Sequence, residues 1–244
     1  MDDKQLEAMF SGVIGTEYDT LKLICPLAAK MSQLVGEAVA DYAVKQLTEL
    51  RVLELGGGTG ITTLSILLAD KKVKVLSVDS EPTMQDQAKQ SLKKWSDEGR
   101  LSFDGRDALT VLKELESDSL DILASAYTLH NFLDSYRTEV LQEIYRVLKV
   151  SGLFVNGDRY GLDDISTHTR MIQQEVSGYF KALVAINKLD VLEHWIVHLF
   201  SDESENHVMR EGFALQQLAE AGFTYIQLAH RYEVNALVSA VKDK

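Results

Sequence analysis

Cysteine and proline are nearly absent: Cys25, Pro26 and Pro82 are the only ones in 244 residues. A lone cysteine excludes an intrachain disulfide and any cysteine-built zinc site. With so little proline, and no Gly/Ser-rich linker, low-complexity tract or internal repeat, there is no seam at which to divide the chain. Its 244 residues against a prior of roughly 100–200 per domain predict one large domain, 1–244. Positive charge is also scarce, with 25 Lys and Arg against 37 Asp and Glu and a net charge of −12. Phosphate backbones and anionic lipids are held by neutralising Lys and Arg, so nucleic-acid and membrane partners are disfavoured. No apolar run approaches the ~18 residues of a membrane span. The opening Met1-Asp2-Asp3-Lys4-Gln5 lacks the basic-then-apolar order of a signal peptide. Together these absences predict a soluble, cytoplasmic protein.

What is present changes period along the chain. Residues 1–50 carry apolar side chains at helical spacing, with Leu21, Ile24, Met31, Leu34, Val35, Ala38, Val39 and Tyr42 on one face. From Arg51 onward, short Val/Ile/Leu-rich runs at 52–55, 73–78, 101–103, 120–124 and 153–155 alternate with helical stretches at about 61–69, 83–97, 108–115 and 134–148. Asp134 is a candidate N-cap for the last of these, and Gly152 a stop. Strand–helix alternation at this rhythm predicts an α/β fold, with a parallel sheet covered on both faces. Residues 160–210 interrupt it with about 50 residues of helical pattern, before a helix at about 211–221 and strands at 223–228 and 235–241.

The chemistry-bearing residues fall at the ends of those strands. The first strand runs into Glu54-Leu55-Gly56-Gly57-Gly58-Thr59-Gly60 and then directly into a helix. Glycines there permit a tight turn and leave room for a ligand over the helix N-terminus. The dinucleotide pattern G-x-G-x-x-G fails because its third glycine would fall on Ile61, and no Lys-Ser/Thr follows to make a phosphate-binding P-loop. The spacing present is acidic-x-G-x-G-x-G. Asp79 ends the second strand, 19 residues after Gly60, where a carboxylate can accept from both hydroxyls of a ribose. Asp107 and Ala108 follow the third strand, and Ser125 through Phe132 follow the fourth. In an open α/β sheet all four clusters converge on one crevice beyond the strand ends.

Over 51–158 these motifs resemble the class I S-adenosylmethionine-dependent methyltransferases, and the helix–strand–strand ending through Ala221-Gly222-Phe223 is similar to theirs. The resemblance implies a Rossmann-like methyltransferase fold with a mostly parallel seven-stranded sheet, an antiparallel last strand, a helical N-terminal cap (1–50) and a helical insertion after strand five. It implies S-adenosylmethionine as cofactor. Gly56, Gly58 and Gly60 would pass under the methionine moiety with Glu54 near its ammonium. Asp79, with Ser80, would hold the ribose; Asp107 and Ala108 would meet the adenine; Ser125 would sit beside the sulfonium. The insertion 160–210 would wall a small-molecule acceptor, and 211–244 would close the sheet. Tyr18 lies in the segment that folds over the cofactor in many such enzymes, where its hydroxyl would reach the methionine carboxylate or the acceptor.

His130 resembles the base of small-molecule O-methyltransferases, although Asn131 stands where their His-Asp pair would put an acid. A neutral imidazole suits removal of a proton from a hydroxyl acceptor; the bland reading is a histidine that only shapes the pocket. Arg159, after the fifth strand, either grips a substrate carboxylate or pairs with Asp158 or Asp163 at the surface, and Tyr160 is expected to face the crevice beside it. His194 and His198 share a helix face, near His207, Glu193, Asp202 and Glu203. Without H-E-x-x-H order they read as a partly exposed polar face with Asp190 as partner, and no metal is expected. The expected activity is methyl transfer to a small molecule. Looser resemblance to carboxy-S-adenosylmethionine synthase, through the N-terminal segment and the Ala-Gly-Phe region, leaves other chemistry of the same cofactor as a rival. A binder without turnover is another, and a homodimer is compatible with either.

Overall fold

A computed structural model describes residues 25–243. Their elements run α1 (Pro26–Ala43), β1 (Leu50–Leu55), α2 (Ile61–Ala69), β2 (Val73–Val78), α3 (Pro82–Ser91), α4 (Lys93–Asp97), β3 (Leu101–Asp104), α5 (Ala108–Glu114), β4 (Leu120–Ala126), a 3₁₀ turn (Leu129–Asn131), α6 (Asp134–Val147), β5 (Leu148–Arg159), α7 (Ile165–Ala185), α8 (Leu189–Asp202), α9 (Glu211–Ala221), β6 (Thr224–Tyr232) and β7 (Asn235–Val241). The seven strands form one sheet in the order β3-β2-β1-β4-β5-β7-β6. The β1–β2, β1–β4, β2–β3 and β4–β5 pairs are parallel, while β7 runs antiparallel to both β5 and β6. The expected Rossmann-like topology is therefore present.

Because successive strand residues face opposite ways, β1 feeds two cores. Val52 joins Met31, Val35, Val39, Leu64 and Ile66 under α1 and α2. Leu53 and Leu55 join Val111, Val140, Ile144 and Leu218 under α5, α6 and α9. Burial on both faces is why the central strands read as continuous apolar runs. A third, smaller cluster of Tyr179, Leu183, Leu192 and Leu199 lies between α7 and α8. Among the described residues no helix is long and apolar enough to cross a membrane.

Several boundaries differ from the sequence reading. The 83–97 segment is two helices, α3 and α4. Asp134 is not a cap but lies in the first turn of α6, where it pairs with Arg137. Gly152 does not stop a helix. It sits inside the 12-residue β5, where a Cβ would fall 2.7 Å from the Lys149 carbonyl oxygen. Leu21, Ile24 and Tyr18 lie outside the described residues.

Candidate functional site

A crevice of about 600 Å³ opens at the carboxyl ends of β1, β2, β4 and β5 and beneath α8. One end is built by the glycine turn. Gly56, Gly58 and Gly60 all have positive φ (72°, 51° and 97°), a region costly for side-chain-bearing residues. Their space is used differently. A Cβ on Gly56 would meet Thr128 Oγ1 at 1.8 Å, and one on Gly60 would meet Leu92 Cδ1 at 2.7 Å. Around Gly58 only Met84 comes near, at 3.7 Å, so Gly58 alone of the three leaves open room toward the crevice. Gly60 packs against the α3–α4 junction and does not line it.

Asp79 and Ser80 stand beside this turn on the crevice wall. The Asp79 carboxylate accepts from the backbone N–H of Gly58 at 2.7 Å and of Glu81 at 2.8 Å, which fixes its orientation and leaves lone pairs for further donors. Asp107 caps α5 by accepting from Thr110 N–H at 3.0 Å and takes the Tyr136 hydroxyl at 3.1 Å; it and Ala108 also line the crevice.

Two expected cofactor contacts lie elsewhere. Glu54 is fully buried beneath the turn and takes the Thr63 hydroxyl at 2.6 Å, so it does not stand where a ligand ammonium would lie. Burial, with the nearby charge of Asp79, pushes its pKa from 4.5 up to about 7 against the hydrogen bonds from Thr63 and Ser77. Ser125 is likewise fully buried, its hydroxyl donating to the Leu55 carbonyl at 3.2 Å. The residues that β4 does present to the crevice are Ala126, Tyr127 and Thr128.

The other end gathers side chains distant in sequence. His130 sits on the 3₁₀ turn after β4, and its Nδ1 lies 2.5 Å from Asp158 Oδ1 at the end of β5. Asp158 Oδ2 also accepts from the backbone N–H of Thr128, Leu129 and His130 (3.3, 3.0 and 3.4 Å) and from Asn156 Nδ2 at 3.2 Å. Burial would raise the pKa of this carboxyl. The charge and hydrogen bond of His130, with Arg159 N–H and Asn156, outweigh that and hold it below the ordinary range. An ionised Asp158 draws the imidazole proton to Nδ1, leaving the Nε2 lone pair free. The acid missing beside His130 in the sequence is thus supplied 28 residues later. Buried Arg137 completes the support, donating to the carbonyls of Leu129 and Phe132 at 3.2 Å each.

Arg159 does line the crevice, but pairs with neither Asp158 nor Asp163 through its guanidinium. Nη1 lies 2.8 Å from Glu175 on α7, and Nη2 lies 3.1 Å from Glu203 after α8. Two carboxylates offset its charge, which leaves little for a substrate carboxylate. Tyr160 turns into the core under α6 and takes Asn156 Nδ2 at 2.9 Å, while Tyr179 and Trp195 do line the crevice. Burial pushes the Cys25 thiol up to about 11, so this crevice cysteine is protonated at neutral pH and a poor nucleophile.

His194 is exposed and His198 half-exposed, as expected of a partly exposed polar face, and both also line the crevice. The carboxylate near His198 is Asp202, one turn later at 3.6 Å, and not Asp190. Burial pushes the His198 pKa down, with His130 and His194 adding to that and Asp202 opposing it. His207 instead pairs with Ser204 at 2.9 Å. Asp158, Asp202, Glu175 and Glu203 are the residues sequence reasoning missed as partners. Only the i,i+4 spacing of His198 and Asp202 could have signalled one of them.

A family profile described as "Methyltransferase domain" matches residues 52–152, the stretch holding β1 to β4 and the glycine turn. A demethylmenaquinone methyltransferase from Leptospira interrogans is 35% identical over 109 residues, 45% of this chain and 43% of that protein. The chain thus matches under half the length of that relative. A carboxy-S-adenosyl-L-methionine synthase from Shewanella sediminis is 19% identical over 220 residues, 87% of this chain and 86% of that one. Among solved structures, an O-methyltransferase family protein from Burkholderia thailandensis superposes with a TM-score of 0.64 at 15% identity, over 88% of this chain and 57% of that one, a likeness of fold. Strand order, glycine turn and profile agree: residues 52–152 hold a methyltransferase domain within a Rossmann-like α/β fold.

Proposed function

We propose that this protein transfers a methyl group from S-adenosylmethionine to a small-molecule acceptor held between the glycine turn and the α7–α8 hairpin. The residues fit that cofactor on three counts: the open space at Gly58, the unspent acceptor capacity of Asp79, and an acid with an adjacent small residue at Asp107 and Ala108. Asp79 would accept from ribose hydroxyls, and Asp107 from an exocyclic amine. When bound, S-adenosylmethionine supplies a methyl group on a sulfonium, activated for in-line displacement.

The observation that carries the acceptor half of the reading is the His130–Asp158 pair at 2.5 Å, oriented by a fully buried carboxylate. Asp158 would stabilise the imidazolium formed when Nε2 takes a proton from a hydroxyl or thiol acceptor. Trp195, Tyr179 and the α7–α8 hairpin would exclude water and align the acceptor. Calorimetry should find S-adenosylmethionine bound and NAD not bound, and a metabolite screen should detect S-adenosylhomocysteine. A protein that binds neither form of the cofactor would overturn the reading.

The near full-length likeness to a carboxy-S-adenosyl-L-methionine synthase supports a second reading, in which the cofactor itself is modified. Against it stands Arg159, whose charge is already taken by Glu175 and Glu203 and is not free for an added carboxylate. Mass spectrometry of the co-purifying ligand separates the two.

A further inference from the structure

Asp202 is nine-tenths buried, yet among the described residues it accepts no hydrogen bond. The imidazole nitrogens facing it, His130 Nε2 at 3.8 Å and His198 Nε2 at 3.6 Å, are both too far for hydrogen bonding. The Asp202 carboxylate lines the crevice with no protein donor, so its lone pairs are available to a ligand there. The three ligand atoms lie within 4.8 Å of one another, on the wall of the crevice. We infer that His130, His198 and Asp202 bind a divalent first-row transition-metal ion at the acceptor end of the crevice.

The geometry suits such an ion. Zinc-type bonds to imidazole and carboxylate are about 2.0–2.2 Å long, so two ligands at tetrahedral angles lie roughly 3.4 Å apart. The observed 3.6 and 3.8 Å need only a small contraction. His198 and Asp202 are one helical turn apart on α8, which puts both on one face. His130 comes prepared as well. Its Nδ1 is held by Asp158, which fixes the tautomer that presents Nε2, the arrangement usual behind metal-bound histidines. Two imidazoles and one carboxylate favour zinc, iron(II) or cobalt(II) over magnesium or calcium, which take oxygen ligands. Three protein ligands leave coordination positions open to the crevice, as in sites that bind a reactant.

The role of the ion rests on the methyl-transfer reading, but its binding does not. An acceptor hydroxyl or thiol on an open position would lose its proton to solvent more readily, then form its bond to the methyl carbon as the carbon–sulfur bond breaks. With the ion bound, ligation through Nε2 would replace the proton-accepting role of His130, and the ion would lower the acceptor's pKa in its stead.

The test uses the full-length protein after chelator dialysis, titrated with Co²⁺ alone and followed by visible absorption, with S-adenosylmethionine affinity measured in parallel. One equivalent of Co²⁺ should bind with visible d–d bands. His198→Ala, whose half-exposed side chain makes misfolding improbable, should abolish those bands, as should Asp202→Asn, with circular dichroism checking the fold. Asp158→Asn should weaken binding by about 10–100-fold. No stoichiometric Co²⁺ uptake, or uptake unchanged in His198→Ala, overturns the site. Co²⁺ binding in a protein that does not bind S-adenosylmethionine upholds the site and overturns the methyltransferase reading instead.

Discussion

The two ends of the crevice are built on opposite plans. At the cofactor end, every part follows its strand within a few residues: Gly56–Gly58 after β1, Asp79 after β2, Asp107 after β3. Asp79 is held there by backbone, the N–H groups of Gly58 and Glu81. At the acceptor end side chains pair with side chains, His130 with Asp158, and Arg159 with Glu175 on α7 and Glu203 after α8. A local plan preserves one ligand's shape. A non-local one lets helices outside the sheet set what lies opposite it.

If the two ends are separable, variants at each should change one property and spare the other. The largest effect is expected from replacing 165–202 with a short loop, which should abolish turnover while calorimetry finds cofactor affinity nearly unchanged; a collapse of affinity would break the division. His130→Ala should lower turnover by roughly 10²–10⁴-fold, the span for loss of a general base, again with cofactor affinity intact. A variant that keeps its rate removes His130 from the mechanism.

Asp79→Ala should show the converse. It weakens cofactor binding by about 1.5–3 kcal/mol for each charged hydrogen bond lost, measured by calorimetry, and unchanged affinity would dismiss the ribose assignment. Glu54 sharpens the contrast through stability. Its folded pKa, raised from 4.5 to about 7, means that its contribution is fully present below pH 4.5 and is lost as pH rises through 7. Glu54→Gln should therefore stabilise the protein relative to wild type near pH 8 by on the order of 3 kcal/mol, read as a higher melting temperature, and the gain should vanish at pH 4.5.

The same contrast explains what could be read from the sequence. Strand runs and glycine spacing are local signals, so the parallel sheet and Asp79 beside the turn were legible. Glu54 and Ser125 were misplaced because motif spacing says nothing of which way a strand residue points, and both face inward. Gly152 misled because β5 begins at Leu148, directly after the helix, and Asp134 because the helix starts one residue earlier, with Leu133 at the cap position. Asp158 and Asp202 went unseen as partners of His130 because pairing across sheet and helix leaves no periodic trace.

The α7–α8 hairpin keeps its own small core of Tyr179, Leu183, Leu192 and Leu199, separate from the cores on the two faces of the sheet. Its polar ties to the sheet include Arg159 with Glu175 and Glu203. A segment with its own core can detach as a cooperative unit while the rest stays folded. Amide hydrogens of α7 and α8 should then exchange together, at a free energy well below that of β1 and β4. An acceptor bridging the hairpin and the sheet would slow that exchange, making the protection of two helices a report on occupancy of the crevice.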